Sequence, residues 1–586
     1  WHPGPDEPVA WSPDGAAVII RSTREHPHWD WELYRVSANG GDPEKLPLGW
    51  AQNLAIDPQT GAYAFNRTGG GGTWKRYRGG TAADIWVGDP QAAEYRQVTN
   101  FAGNDFSPMW HGGKIWFLSD LGGTMNIWSM NPDGTGRSRH TDFGTWDARH
   151  AASDGAGRIV FTLAGDIHLF DVASGASRKL PIELPSERFL TRTRYPDPQQ
   201  YITGLALSPD GDRVAIEARG EIFSIPAKDG VTLPITRGSG ARENMMSYHP
   251  DGERLLYITD ESGEQTIVTA DAWGRGDVKT VVPAGASRVY TPLYSPDGAW
   301  IAWSDPSYTL WIAPASGGAP VRVDQSPQWE IREYAWSPDS RWLAYTRTTV
   351  TDRSGVWIYD TKEKQSRRVT DPTTDDRSPC WDPDGRYLYF VSDRVMNPMI
   401  GNVDFETIEL STSKPCALLL RPDVKNPVMK SEGAPPDGKE KGTGKDKKGK
   451  DGKGKSAGQD ASKDGAGGDA DKKPEPVKID FDGIERRVVE LPVQAGRYWG
   501  LAATSGKLFY YSQPPTGLSG REEDFQPVKG GTLHVFDLEE LEPKTFMSEV
   551  VGYDLQPKSG KIAVQKDGGA IYVLDAGSMP PDDLEK

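Results

Sequence analysis

The chain has 586 residues, a formal net charge of -16 and a pI near 5.2. So acidic a balance argues against nucleic acid or an anionic membrane as the main partner, because both require clustered Lys and Arg. Mean hydropathy is -0.61 and no run of about 18 apolar residues occurs, so these residues hold no membrane-spanning helix, although a 36% hydrophobic content can build an extensive core.

Trp1 stands only a few residues before a repeat motif, so an N-terminal part is expected to be missing, together with any targeting signal. The motif first reads Trp11-Ser12-Pro13-Asp14-Gly15 and is followed by the apolar run Val18-Ile19-Ile20. Its residues have physical roles in a tight hairpin: Pro fixes φ, Asp bonds to nearby backbone N–H groups, and Gly tolerates positive φ. His26 and His28 follow, read as a solvent-exposed loop pair rather than a metal site. Further strand runs at Tyr63-Ala64-Phe65, Ile115-Trp116-Phe117-Leu118 and Ile159-Val160-Phe161 make four units up to about residue 185. Between two of them, Thr73-Trp74-Lys75-Arg76-Tyr77-Arg78-Gly79-Gly80-Thr81 gathers three cations and two aromatics into a loop longer than a hairpin needs. Lys75, Arg76 and Arg78 are candidate substrate-binding residues, because such groups can meet a carboxylate, including a peptide terminus. The alternative is that the aromatics pin the loop while the cations pair with neighbouring acids.

From about residue 186 the motif recurs with its last position at 211, 252, 298, 340 and 385, giving steps of 41, 46, 42 and 45. That period, with four short strands in each repeat, is the signature of β-propeller blades. Strands such as Trp300-Ile301-Ala302-Trp303 and Leu310-Trp311-Ile312-Ala313 alternate as sheet residues do. Residues 431–476 contain no Val, Ile, Leu, Met or aromatic side chain and are expected to be a disordered Lys/Gly-rich insertion. Two degenerate units around Leu508-Phe509-Tyr510-Tyr511 and Lys561-Ile562-Ala563-Val564 complete seven. The expected fold is all-β: an incomplete six-bladed propeller with four blades present over 1–185, then a seven-bladed propeller over 186–586.

Chemistry is sparse. Gly454-Lys455-Ser456-Ala457-Gly458 matches a nucleophile-elbow pattern but lies inside the insertion, without the strand and helix that motif requires. His111, His140, His150, His168 and His249 fall on turns or strands, as structural histidines do. Cys380 and Cys416 are far apart and read as reduced structural thiols. No catalytic residue, cofactor or metal site is assigned.

The chain resembles the N-terminal half of the tricorn protease family. The resemblance rests on the loop Trp74 to Thr81 followed by Asp84-Ile85-Trp86, on Ser107-Pro108-Met109-Trp110, on Ile182-Glu183-Leu184-Pro185-Ser186, and on Phe481-Asp482-Gly483-Ile484-Glu485-Arg486-Arg487-Val488-Val489 with Leu491-Pro492-Val493. It implies a cytosolic serine peptidase acting on oligopeptides, in which a six-bladed and a seven-bladed propeller precede catalytic and PDZ domains within a homo-hexamer. It further implies that the propellers are filters, the seven-bladed one for substrate entry and the six-bladed one for product exit. The family's catalytic groups would lie outside residues 1–586, and the place expected for its carboxyl-anchoring arginine pair reads His2-Pro3-Gly4-Pro5. Two other readings compete: a Tol-type propeller that binds proteins without catalysis, and the propeller of a prolyl-oligopeptidase.

Overall fold

A computed structural model describes residues 4–584 except 26–29, 70–73, 184, 239, 283–287, 397, 401–406, 410, 430–473, 515–529 and 582. His26, His28, the Gly454 to Gly458 string and nearly all of the 431–476 tract therefore lie outside the described residues. Two compact units appear, Trp1–Thr193 and Arg194–Lys586. Both are all-β, and the helices among the described residues are three short 3-10 turns.

The first unit consists of four antiparallel sheets of four strands, each strand pairing with the next in sequence. Their first strands are Asp6–Trp11, Asn53–Ile56, Asp105–His111 and Arg149–Ser153, and successive first strands touch. The core lies between neighbouring sheets. Ile19, Leu33 and Phe65 fill the first gap, Ile85, Trp110 and Phe117 the second, and Trp116, Ile159 and Phe170 the third. Phe65 is fully buried, and such a side chain contributes about 2–3 kcal/mol.

The second unit has five four-stranded sheets, one six-stranded sheet and a two-stranded ribbon, Met399–Ile400 with Thr407–Ile408, inserted between Tyr387–Asp393 and its partner Ser413–Leu419. The six-stranded sheet joins the two degenerate units through one long strand, Glu542–Gln556, whose first part pairs with Gly531–Asp537 and whose last part pairs with Lys561–Lys566. A register shift between Val550 and Gly552 bends it from one pairing to the other. The ends of the unit meet across 347 residues of sequence, where the Leu207 N–H donates to Asp554 Oδ2 at 2.7 Å. Gln556 Nε2 donates to the Leu207 carbonyl at 3.0 Å, and Ala563 packs against Leu207, Val214 and Ile216.

The repeated turn works as its residues require. In Ser295-Pro296-Asp297-Gly298 the Ser295 hydroxyl donates to Asp297 Oδ1 at 2.5 Å and accepts from the Trp300 N–H at 3.0 Å. The Gly298 N–H donates to the Ser295 carbonyl at 2.8 Å, with Gly298 at φ +71°. The equivalent Ser12 hydroxyl, with the Ala16 N–H, holds the Asp14 carboxyl below its ordinary range. Substitutions keep the clamp: Ser340 takes φ +60° in the glycine place, and His249 Nδ1 stands 2.7 Å from Asp251 Oδ1 in the serine place.

A second repeated device gave no sequence signal. Ser107, His150, Met245, Thr291 and Ser378 sit in first strands at φ between 45° and 55°, each beside a register shift against the second strand. These bulges bend the first strand, a costly backbone state that persists only where surrounding sheets hold it.

Candidate functional site

Among the described residues each unit has a cavity beside its first strands. In the first unit it measures about 670 Å³, and its wall comes from the starts of first strands and the loops before them, including Val9, Asn53, Phe106 and Ala151. The enlarged loop of residues 74–82 connects Tyr63–Asn66 to Ile85–Asp89 and reaches this wall with Trp74 and Arg76.

The loop is pinned at several points. Trp74 and Tyr77 pack with ring centroids 5.4 Å apart, and the Thr81 hydroxyl donates to the Tyr77 hydroxyl at 3.0 Å. Arg78 NH1 donates to Asp120 Oδ2 at 2.7 Å, and its guanidinium lies 5.1 Å from the Phe101 ring centroid. Asp120 also accepts from the Asn104 N–H at 2.9 Å, so this nearly buried carboxylate is fully engaged. Lys75 Nζ donates to the Thr145 carbonyl at 3.0 Å. Arg76 Nε donates to the Gly123 carbonyl at 2.7 Å, with the residue at φ +58°. The three cations named from sequence therefore divide. Arg78 and Lys75 fasten the loop to other elements, and Arg76 lines the cavity.

Beneath the wall lies a group that sequence reasoning missed. Asp105, 1% exposed, begins a first strand, and burial pushes its carboxyl up to about 6 against opposing bonds from Ser119 and Thr99. Its Oδ2 accepts no hydrogen bond from the described residues. Nothing in the string Asn104-Asp105-Phe106 marks it, because its burial arises only when the sheets assemble.

The second unit's cavity, about 560 Å³, is walled by the repeated turns themselves. Pro209, Pro250, Pro296, Pro338, Pro383 and Pro557 contribute, one from each of six turns, with Tyr248, Trp336 and Trp381 from the ends of first strands. Trp381 Nε1 donates to the Ala335 carbonyl at 2.9 Å and so ties two neighbouring sheets. Cys380 also lines this wall, and burial pushes its thiol up to about 12. Cys416 is buried, and neither cysteine forms a disulfide. Pro474 reaches the same wall, after which the Val477 N–H donates to Asp339 Oδ2 at 2.8 Å and the Val477 carbonyl accepts from Trp342 Nε1 at 3.2 Å.

Among the described residues, two serines contact histidines, Ser129 with His140 and Ser512 with His534, both at 2.8 Å. Burial lowers both imidazoles, and neither has a carboxylate partner among the described residues. Ser129 is fully buried, so that contact presents no nucleophile. The other named histidines make structural contacts: His111 Nδ1 meets the Gly155 carbonyl at 3.1 Å, His150 Nδ1 meets Thr162 Oγ1 at 3.1 Å, and His168 packs on Phe161. Among the described residues no group of three or more His, Cys, Asp or Glu side chains could hold a metal ion.

Radial four-stranded sheets around two separate cavities define a tandem β-propeller protein. The sequence model of the tricorn protease N-terminal beta propeller domain matches residues 1–176, and that of the tricorn protease second beta propeller domain matches residues 202–577. The chain belongs to the tricorn protease family. It is 27% identical over 566 residues to a tricorn protease homolog of Saccharolobus solfataricus, covering 96% of this chain and 48% of that protein. It is 25% identical over 574 residues to the tricorn protease of Thermoplasma volcanium, covering 97% of this chain and 51% of that one. A crystal structure of the tricorn protease superposes with a TM-score of 0.61 at 22% identity, covering 97% of this chain and 51% of the other. The chain thus spans about half the length of the curated relatives it matches.

Proposed function

We propose that this chain is the propeller portion of a tricorn-like oligomeric serine peptidase, acting in the cytoplasm on oligopeptides. On this reading the first unit is four blades of a six-bladed ring and serves product exit. The second is a seven-bladed ring, its six-stranded sheet counting as two blades, and it admits substrate. Hydrolysis belongs to the family's catalytic and PDZ-containing half rather than to these residues. The observation that carries the reading is the match of both tricorn propeller domains, in order, to two units that each surround a cavity. Lys75, Arg76 and Arg78 contribute to peptide handling in the first unit, Arg76 by facing the cavity and the other two by holding its loop.

A proline-lined wall suits extended chains, because it adds apolar surface and no N–H donors that would demand particular partners. The purified chain is therefore expected to bind an unfolded fluorescent oligopeptide, to ignore a folded protein of similar composition, and to leave the peptide uncut. Hydrolysis that keeps a constant specific activity through successive purification steps contradicts the division of labour. Failure to bind unfolded peptides contradicts the gating role.

A further inference from the structure

The wall of the second unit's cavity is apolar almost throughout. Its six turn prolines are half-buried or exposed and supply open surface, together with the half-buried Leu501 and Ala502. The polar groups beside it are occupied. Trp381 Nε1 is taken by the Ala335 carbonyl and Gln556 Nε2 by the Leu207 carbonyl. The turn carboxylates serve their own clamps and do not line the cavity: Asp210 and Asp297 accept from the Ser208 and Ser295 hydroxyls, and Asp339 accepts from the Ser337 hydroxyl and the Val477 N–H. One charged residue contributes to the wall, the exposed Lys558, which has no acidic partner among the described residues.

An amide, hydroxyl or carboxylate entering such a wall loses water and gains no partner, whereas an apolar group gains by the area it removes from water. Proline rings add a preference among apolar groups, because they stack on aromatic faces. Aromatic-lined grooves hold proline-rich chains by the same contact, here with wall and ligand exchanged. The lone cation completes the pattern: with no carboxylate in the wall, it attracts an acidic neighbour of the seated side chain and repels a basic one. We propose that this cavity is an aromatic side-chain site, seating Phe, Tyr or Trp of an unfolded peptide against the prolines and favouring acidic over basic residues beside it. The proposal rests on the peptide-admitting reading of the second unit and names its selectivity.

Isothermal titration calorimetry on the full chain tests this, with peptides of three Gly-Ser-Glu-X repeats capped at both ends, X being Phe, Leu or Ser. The Phe peptide is expected to bind about tenfold more tightly than the Ser peptide and about threefold more tightly than the Leu peptide. P296E, which puts a charge into the wall, is expected to abolish the Phe preference, and P13E, the same change in the equivalent turn of the first unit, to preserve it. Near-ultraviolet circular dichroism confirms that both variants fold. The milder pair P296A/P338A, which removes two rings and adds no charge, is expected to lose part of the preference. Replacing Glu by Lys in the Phe peptide is expected to weaken binding several-fold, and K558E to reverse that order. Equal binding of the Phe and Leu peptides overturns the aromatic selection, preference that survives P296E and P296A/P338A overturns its placement in this cavity, and indifference to K558E overturns the charge preference. Each of these leaves the peptide-admitting reading standing. Binding of none of the peptides overturns both.

Discussion

The first unit's cavity opens among the starts of its first strands and carries ionic groups, whereas the second unit's opens among the turns at their far ends and carries prolines and indoles. The same four-stranded building block therefore offers two chemically distinct surfaces, depending on which end of the sheets is exposed. At the strand starts, connections vary in length, and an enlarged loop can bring Trp74 and Arg76 over the opening. At the turns, geometry is fixed by a clamp of Ser, Pro, Asp and Gly, so repetition places like residues side by side. The units also differ in where burial stresses ionisable groups. Asp105 lies buried between sheets of the first unit, and Asp554 bridges the sequence ends of the second.

The comparison breaks most sharply at Trp381, which lines the second cavity and bonds to a neighbouring sheet. Trp381→Ala is expected to destabilise by about 3–5 kcal/mol, the usual cost of emptying a large buried site. Hydrogen exchange read by mass spectrometry should accelerate in residues 334–381 and stay unchanged in 53–111. Uniform acceleration would show that the units unfold together.

A smaller effect sharpens the electrostatic contrast. Burial pushes the Asp105 carboxyl up to about 6 in the folded unit, above its ordinary 3.8. The folded state therefore holds its proton more tightly, and the associated stability is present at low pH and lost as pH rises through about 6. Asp105→Asn removes the ionisable group, so the variant is expected to exceed the unaltered chain in urea-unfolding stability at pH 7.5, by on the order of 1–2 kcal/mol. The gap should close towards pH 4. A gap independent of pH would show that Asp105 keeps its ordinary affinity for protons. Asp554, raised to about 6 by burial, has the same sign, but it is partly accessible and accepts the Leu207 N–H, which moderates the expected gain from Asp554→Asn.

Ser295→Ala, which deletes one clamp, is expected to cost about 1 kcal/mol and to change exchange mainly in residues 290–304. A loss several times larger would mean that the turns carry more of the second unit than their local bonds imply.

Much of this fold was legible because the clamp is a local device: Ser, Pro, Asp and Gly do the same work wherever they occur, and their spacing counts the sheets. The two units without the full motif, around Leu508 and Lys561, were still found from apolar runs, but their fusion through Glu542–Gln556 was not, since a strand shared by two sheets looks like two strands. The site was legible only in part. The loop of Trp74 to Thr81 stood out by composition, yet sequence could not separate Arg76 from Lys75 and Arg78, because their partners Gly123, Thr145 and Asp120 come from other sheets. The proline collar was visible as six turns and hidden as a surface, for it exists only once the sheets stand in a circle.

Photo-crosslinking tests the central claim most directly: an unfolded peptide carrying a benzophenone side chain is irradiated with the chain, and the attachment points are mapped by mass spectrometry. The account predicts attachment at Trp336, Trp381 and the neighbouring prolines of the second unit, and at Trp74, Phe106 or Met125 of the first. Attachment confined to outer strands such as Gln365–Arg368 and Ala176–Lys179 would contradict it.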